Sequence, residues 1–165
     1  MNPFLAGVNQ KRLFASLLLA EAARARDDHL REALMQGALH HLATALQLYF
    51  GEVAATYQCR NAIETTSLAL LDQHLSAMGK TPAEVSEMLA LQDDAASWLS
   101  RVLACRQLLF AAPRPVARQD KDGVINALSV ADDSDSTGFD VAEVEHWLSA
   151  FTSMIERHRE SMLEC

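Results

Sequence analysis

The stretch from about His29 to Tyr57 limits the fold more than any other part of the chain, because apolar residues recur in it at helical spacing. Two adjoining stripes run along it: Leu30, Leu34, Ala38, His41, Ala45 and Tyr49 form one, and Leu42, Leu46, Phe50, Val53 and Tyr57 form the other. A helix that is apolar over so wide an arc is covered on most of its sides. We therefore expect the central helix of an all-α bundle.

Start and stop residues divide the rest of the chain into further helices. With only six Gly and four Pro in 165 residues, the composition favours helices joined by short loops. The first helix is expected over about 3–26, the second is opened by Asp27-Asp28, and the third ends near Met78 before Gly79. Thr81-Pro82-Ala83-Glu84 predicts a capping box that opens a fourth helix, which bends or splits at Asp93-Asp94. Asp140 to Glu143 resembles a second capping box, which opens the last helix. These signals predict a bundle of about five helices.

Residues 113–138 are rich in Asp, Ser and Gly and predict one long acidic loop before the last helix. The formal charge is -2 through Ala112 (9 - 11) and -6 from Pro113 onward (5 - 11), so the acidic part is the C-terminal third. A loop of this length is either mobile or a functional element. We expect a single helical-bundle domain spanning residues 1–165.

Composition also limits the partners and the compartment. The net charge of -8 and the absence of a basic cluster argue against nucleic acid, and no stretch approaches the ~20 apolar residues of a membrane span. Three widely spaced cysteines without a CxxC pair fit a reducing compartment. Lys11-Arg12 and the apolar run after it imitate a secretory signal, but Phe4, Leu5 and Val8 already continue that run in helical register. A cytoplasmic protein without a nucleic-acid or membrane partner is therefore predicted.

Candidate chemistry is sparse. Glu143-x-x-His146 has the spacing that presents a carboxylate and an imidazole to a di-iron centre, but a second such pair is missing, and a solvated first helical turn explains it better. Adjacent His40 and His41 point about 100° apart on a helix and do not readily share one ion. With no catalytic motif present either, the sequence predicts no catalytic residue, no metal ligand and no cofactor.

The polar run Asn9-Gln10-Lys11-Arg12 is the most informative feature, because it interrupts a first helix that is otherwise apolar nearly all round and mostly covered by its neighbours. Such a run either reaches solvent and nearby helix ends or contacts a partner. His41 shares the apolar stripe of the second helix, which favours a core or interface histidine over a ligand. The candidate interaction residues are therefore Asn9, Gln10, Lys11, Arg12 and His41.

Several short motifs along the chain resemble those of an uncharacterised bacterial family of small helical proteins, known as a domain of unknown function. They are Asn9-Gln10-Lys11 leading to Phe14-Ala15, the second helix with Tyr49 and Tyr57, Trp98-Leu99, and Trp147-Leu148-x-x-Phe151 with Arg159 and Glu164. The resemblance covers nearly the whole chain. It implies a cytosolic protein and brings no activity and no functional residues with it.

Two classes of function remain open. The leading hypothesis is a non-enzymatic helical adaptor or regulator that binds a protein partner or self-associates, because apolar arcs as wide as that of the second helix exceed what one small core needs. The alternative is a bundle that binds a small ligand or metal between helices, near His41, Tyr49 and the inward side of the last helix. Such a bundle would be a binding protein or an enzyme.

Overall fold

The structure, a computed structural model, describes residues 2–109 and 139–163, and every regular element in these two ranges is helical. The elements are α1 (Leu5–Ala22), α2 (Asp28–Thr56), a short 3₁₀ turn (Ala62–Glu64), α3 (Leu68–Ala77), α4 (Ala83–Asp93), α5 (Trp98–Leu109) and α6 (Val141–Leu163). The predicted all-α bundle is confirmed. The predicted loop 113–138 lies outside the described residues.

Helix α2 is the centre of the bundle, as its wide apolar arc predicted. It packs against α1, α3, α5 and α6, and both of its apolar stripes supply core residues. Those that are buried are Met35, Ala38, Leu39, Leu42, Ala43, Ala45, Leu46, Tyr49, Phe50, Val53 and Ala54. Leu30 in the first turn of α2 is 52% exposed, but from Met35 onward most of the apolar arc is enclosed by the chain's own helices.

Several helix ends form as their residues predict. The Asp27 carboxylate accepts a hydrogen bond of 2.7 Å from the Leu30 amide at the start of α2. At α6, the Glu143 amide donates to Asp140 at 2.8 Å and the Asp140 amide donates to Glu143 at 3.2 Å, which is the predicted capping box. Gly79 follows α3 with a φ of 70°, the left-handed conformation in which glycine commonly ends a helix.

The predicted fourth helix is two helices, and they separate at the Asp93-Asp94 pair. Asp94 has extended backbone angles, and its carboxylate accepts a hydrogen bond of 2.9 Å from the Ala96 amide, which turns the chain before α5 begins at Trp98.

The predicted capping box at Thr81 does not form. Helix α4 begins at Ala83 without a side-chain cap, and its first-turn Glu84 is buried instead.

The side chain of Phe4, the residue before α1, lies directly against α2 at Gly51. A Cβ atom built on Gly51 would lie 2.6 Å from Cε1 of Phe4, whose ring occupies the space that a side chain would need. Glycine inside a helix is less favourable than alanine by about 1 kcal/mol in folding free energy. The fit of the Phe4 ring against Gly51 offsets this lower helix propensity.

We expect Gly51→Ala to lower the free energy of unfolding by about 1–2 kcal/mol, since the Phe4 ring must leave its place. Gly37→Ala is the matched control on the same helix, because its Cβ would meet only the flexible end of Leu18, at 3.2 Å. Urea unfolding followed by circular dichroism measures both variants. A Gly51→Ala protein at least as stable as the native chain would show that the close approach is not needed.

Candidate functional site

The polar run of α1 does not form a single cluster, because its four side chains point in different directions. Asn9 and Arg12 face α6: Asn9 Oδ1 accepts a hydrogen bond of 3.1 Å from Arg159, and Arg12 forms an ion pair of 3.4 Å with Glu156. Gln10 is exposed on the outward side of the helix. These positions give the first half of α1 a side that binds the bundle and a side that faces solvent.

Lys11 and His41 meet at the ring of Phe14. The Lys11 ammonium lies 5.7 Å from the ring centroid, and the imidazole of His41 on α2 packs edge-on against the same ring at 5.4 Å. Nδ1 of His41 is buried without a hydrogen-bond partner among the described residues. Burial, together with the charges of Lys11 and His40, lowers the pKa of His41, so this half-buried imidazole stays neutral to lower pH than a free histidine.

A buried ion pair joins α2 to α6. Both carboxylate oxygens of Glu52 accept hydrogen bonds from the Arg159 guanidinium, at 2.7 and 2.8 Å, and Glu52 is only 2% exposed. The hydrogen bonds from Arg159 to Glu52 raise the pKa of Arg159, which keeps the guanidinium charged. Arg159 also reaches Asn9, and Asn2 donates to the Glu52 backbone oxygen at 2.7 Å, so the pair connects three helices and the N-terminal segment.

The local sequence pattern does not predict this pair. A signal was present, because Glu52 is the one acidic residue in the later, strongly apolar part of α2 and therefore requires a cationic partner. Nothing local indicates which cation that is, since Arg159 lies 107 residues further along the chain.

A second buried network links α2, α6 and α4. The hydroxyl oxygen of Tyr49 lies 2.8 Å from Nδ1 of His158, and Nε2 of His158 lies 3.0 Å from a carboxylate oxygen of Glu87, which also binds Arg157. Tyr49 and His158 are 0% and 3% exposed. Burial, and secondarily the charge of Glu52, raises the pKa of Tyr49 far above its ordinary value, so the phenol stays neutral.

The arrangement brings together only part of the ligand site suggested by sequence. Tyr49 and His158 do meet, but their polar atoms bind each other and Glu87, and His41 lies two turns away beside α1. Glu143 caps α6 and pairs with Arg101 at 3.4 Å, and His146 is exposed. Within residues 2–109 and 139–163, no group of three or more His, Cys, Asp or Glu side chains is placed to hold a metal ion.

The outward side of α1 is an exposed apolar surface, which we call the outer face. It consists of Ala6, Gln10, Leu13, Phe14, Leu17 and Ala20, and in it Leu13 and Leu17 are each 56% exposed and Phe14 is 37% exposed. The expectation that neighbours cover most of α1 is wrong. The helix lies at the edge of the bundle against α2 and α6, and it buries only the side that carries Val8, Ala15, Leu19 and Ala22.

Comparison with known proteins gives a family without an assigned activity. A family model described as a family of unknown function (DUF6586) matches residues 1–165. No curated protein and no solved structure matches the chain significantly. In the part of the chain that the structure describes, no helix combines the length and the hydrophobicity that crossing a bilayer requires.

We expect Glu52→Gln to lower the free energy of unfolding by about 2–3 kcal/mol, because it leaves the partly buried Arg159 without its counter-charge. The control is Glu156→Gln, which removes the ion pair to Arg12 from a carboxylate that is 63% exposed and is expected to cost less than about 1 kcal/mol. Chemical denaturation measures both. Equal losses in the two variants would contradict a special role for the buried pair.

A second test uses the fact that the chain has only two tyrosines, Tyr49 and Tyr57. In Tyr57→Phe, the absorbance of ionised tyrosine reports on Tyr49 alone. Since the folded pKa of Tyr49 is raised, the unfolded chain loses the proton first, and stability falls once the pH exceeds about 10.

We expect tyrosinate absorbance in Tyr57→Phe to rise only together with the loss of the helical dichroism signal as the pH is raised. The complementary Tyr49→Phe variant is expected to show less alkaline destabilisation than the native chain. Ionisation of Tyr49 while the helices remain intact would contradict the burial of its hydroxyl.

Proposed function

The chain belongs to this family of unknown function, as its residues predicted, and we propose that it is a non-enzymatic helical interaction protein, an adaptor or regulator, that acts through the outer face of α1. The exposure of Leu13, Phe14 and Leu17 side by side carries the proposal. Single exposed leucines are common on protein surfaces, but adjoining large apolar side chains on one helix face are typical of protein contacts.

The composition of the outer face supports a protein partner. No charged residue lies on it between Ala6 and Ala20, and charged residues are depleted at the centres of protein interfaces. Because an 18-residue helix presents its side chains on a rigid element, a partner can bind the face with little loss of backbone freedom.

The candidate interaction residues take two different roles in this proposal. Gln10 lies on the outer face, and Lys11 and His41 border it beside Phe14. Asn9 and Arg12 bind α6 and hold α1 so that the face points outward. The first three residues would contact the partner, and the other two would position the helix.

The proposal places the protein in the cytoplasm, with a protein and not a nucleic acid as its target. The net charge of -8 favours this target, since a nucleic acid would be repelled. Cys59 and Cys105, the two cysteines within the described residues, are buried with free thiols, as is usual in a reducing compartment.

The test uses a photo-activated cross-linking residue placed at position 14 or 17 of the full-length chain, in the cell that makes the protein. The control position is Ile63, which is apolar and 85% exposed but lies outside the outer face. We expect protein adducts from positions 14 and 17 and none from position 63. No adduct from either position, or equal yields from all three, would contradict the proposed contact surface.

A further inference from the structure

We propose that the outer face of α1 binds the same face of a second copy of this chain, with the two α1 helices antiparallel across a two-fold axis. The inference rests on the proposed function and names the partner. It is carried by the spacing, the order and the charge of the residues on that helix.

The central stripe of the outer face has the spacing of a helix-pairing seam. Its members are Ala6, Gln10, Leu13, Leu17 and Ala20, which follow one another at steps of four, three, four and three residues, and all five are exposed. This alternation keeps a stripe on one side of a helix, so that it can meet a second helix along its length. Phe14 lies beside the stripe and widens it on the side of Lys11 and His41.

The order of residues along the stripe fits an antiparallel copy of itself. When Leu13 lies opposite Leu17 of the second copy, the two-fold axis places Leu17 opposite Leu13 as well, so four leucines meet at the centre. The same alignment sets Gln10 against Ala20 of the second copy, a long polar side chain against a small one. A parallel pair would instead place Gln10 against Gln10 and leave the two Ala20 methyl groups facing each other, with poorer packing.

The distribution of charge favours this face for self-association. Residues 5–22 carry Lys11, Arg12 and Glu21, a net charge of +1, while the whole chain carries -8, so the remaining residues carry -9. Apart from α5, which carries Arg101 and Arg106, the other described helices are net acidic, so two copies that approach through them bring negative charges together, which opposes association. Approach through α1 brings together two helices of net charge +1 along a stripe that carries no charge.

The size of the face determines the expected strength. An 18-residue helix is about 27 Å long, and a single helix face of that length falls below the ~800 Å² per partner that is typical of stable complexes. We therefore expect a reversible dimer with a dissociation constant on the order of micromolar, not a permanent one.

Sedimentation equilibrium of the full chain over a range of concentrations tests the proposal. The native chain is expected to shift from monomer to dimer with increasing concentration, and Leu17→Glu is expected to weaken the dimer by roughly tenfold or more, because it places two carboxylates in the apolar centre. Ile63→Glu, which changes an even more exposed apolar residue outside the outer face, is expected to dimerise like the native chain. A monomer at all concentrations, or a dimer insensitive to Leu17→Glu, overturns the proposal.

Orientation is tested by cysteine cross-linking in a Cys165→Ser background. A mixture of Gln10→Cys and Ala20→Cys chains is expected to form the mixed disulfide, while each variant alone is not, because identical positions lie about 15 Å apart along antiparallel helices. Disulfides within each variant alone, without the mixed product, overturn the antiparallel arrangement. This test does not depend on whether Leu17→Glu folds.

The failure of this inference can be told apart from the failure of the proposed function. A monomeric chain whose positions 14 and 17 cross-link to a different protein retains the interaction function and loses the second copy as its partner. A monomeric chain that gives no adduct from either position contradicts both the second copy as partner and the interaction function. A cross-link from position 14 or 17 to another part of the same chain overturns both the dimer and the proposed function, since the outer face is then covered by its own polypeptide.

Discussion

The buried ion pair between Glu52 and Arg159 is the contact on which the arrangement of α1, α2 and α6 depends. A carboxylate that is 2% exposed has lost nearly all of its hydration, and only a charged partner with two well-formed hydrogen bonds offsets that loss. Arg159 in turn binds Asn9 on α1. Leu13 and Leu17 follow Asn9 at steps of four residues, each rotated about 40° further from α6. With Asn9 bound to α6 and Val8, Ala15 and Leu19 buried, these two leucines face solvent.

Local residue patterns predicted most of the helices because the relevant interactions are local. Asp27 caps α2, and Asp140 and Glu143 cap α6, since each binds an amide three residues away. The central position of α2 was predicted for a similar reason: its own residues form two adjoining apolar stripes, and a helix of that kind has to be enclosed. Asp93-Asp94 marked the point at which the predicted fourth helix ends.

The partners of buried polar groups could not be predicted in this way. Tyr49 and His158 lie 109 residues apart, and neither residue carries a local signal of the other. The exposure of α1 was missed for a related reason. A wide apolar arc shows that a helix has large hydrophobic surfaces, but the number of neighbouring helices decides whether all of them are covered, and α1 lies at the edge of the bundle against α2 and α6. Adjoining exposed apolar side chains are therefore found on α1, whereas on α2 exposure of large apolar side chains is confined to Leu30 in the first turn.

We propose that the outer face of α1, which is exposed in the isolated chain, is covered when the protein functions. Carbene footprinting with residue-level mass spectrometry measures it directly, by comparing the dilute purified chain with the protein in the cell that makes it. We expect strong labelling of Leu13, Phe14 and Leu17 in the dilute chain and protection of all three in the cell, with Ile63 labelled in both. Equal labelling of the three residues in the two conditions would contradict it.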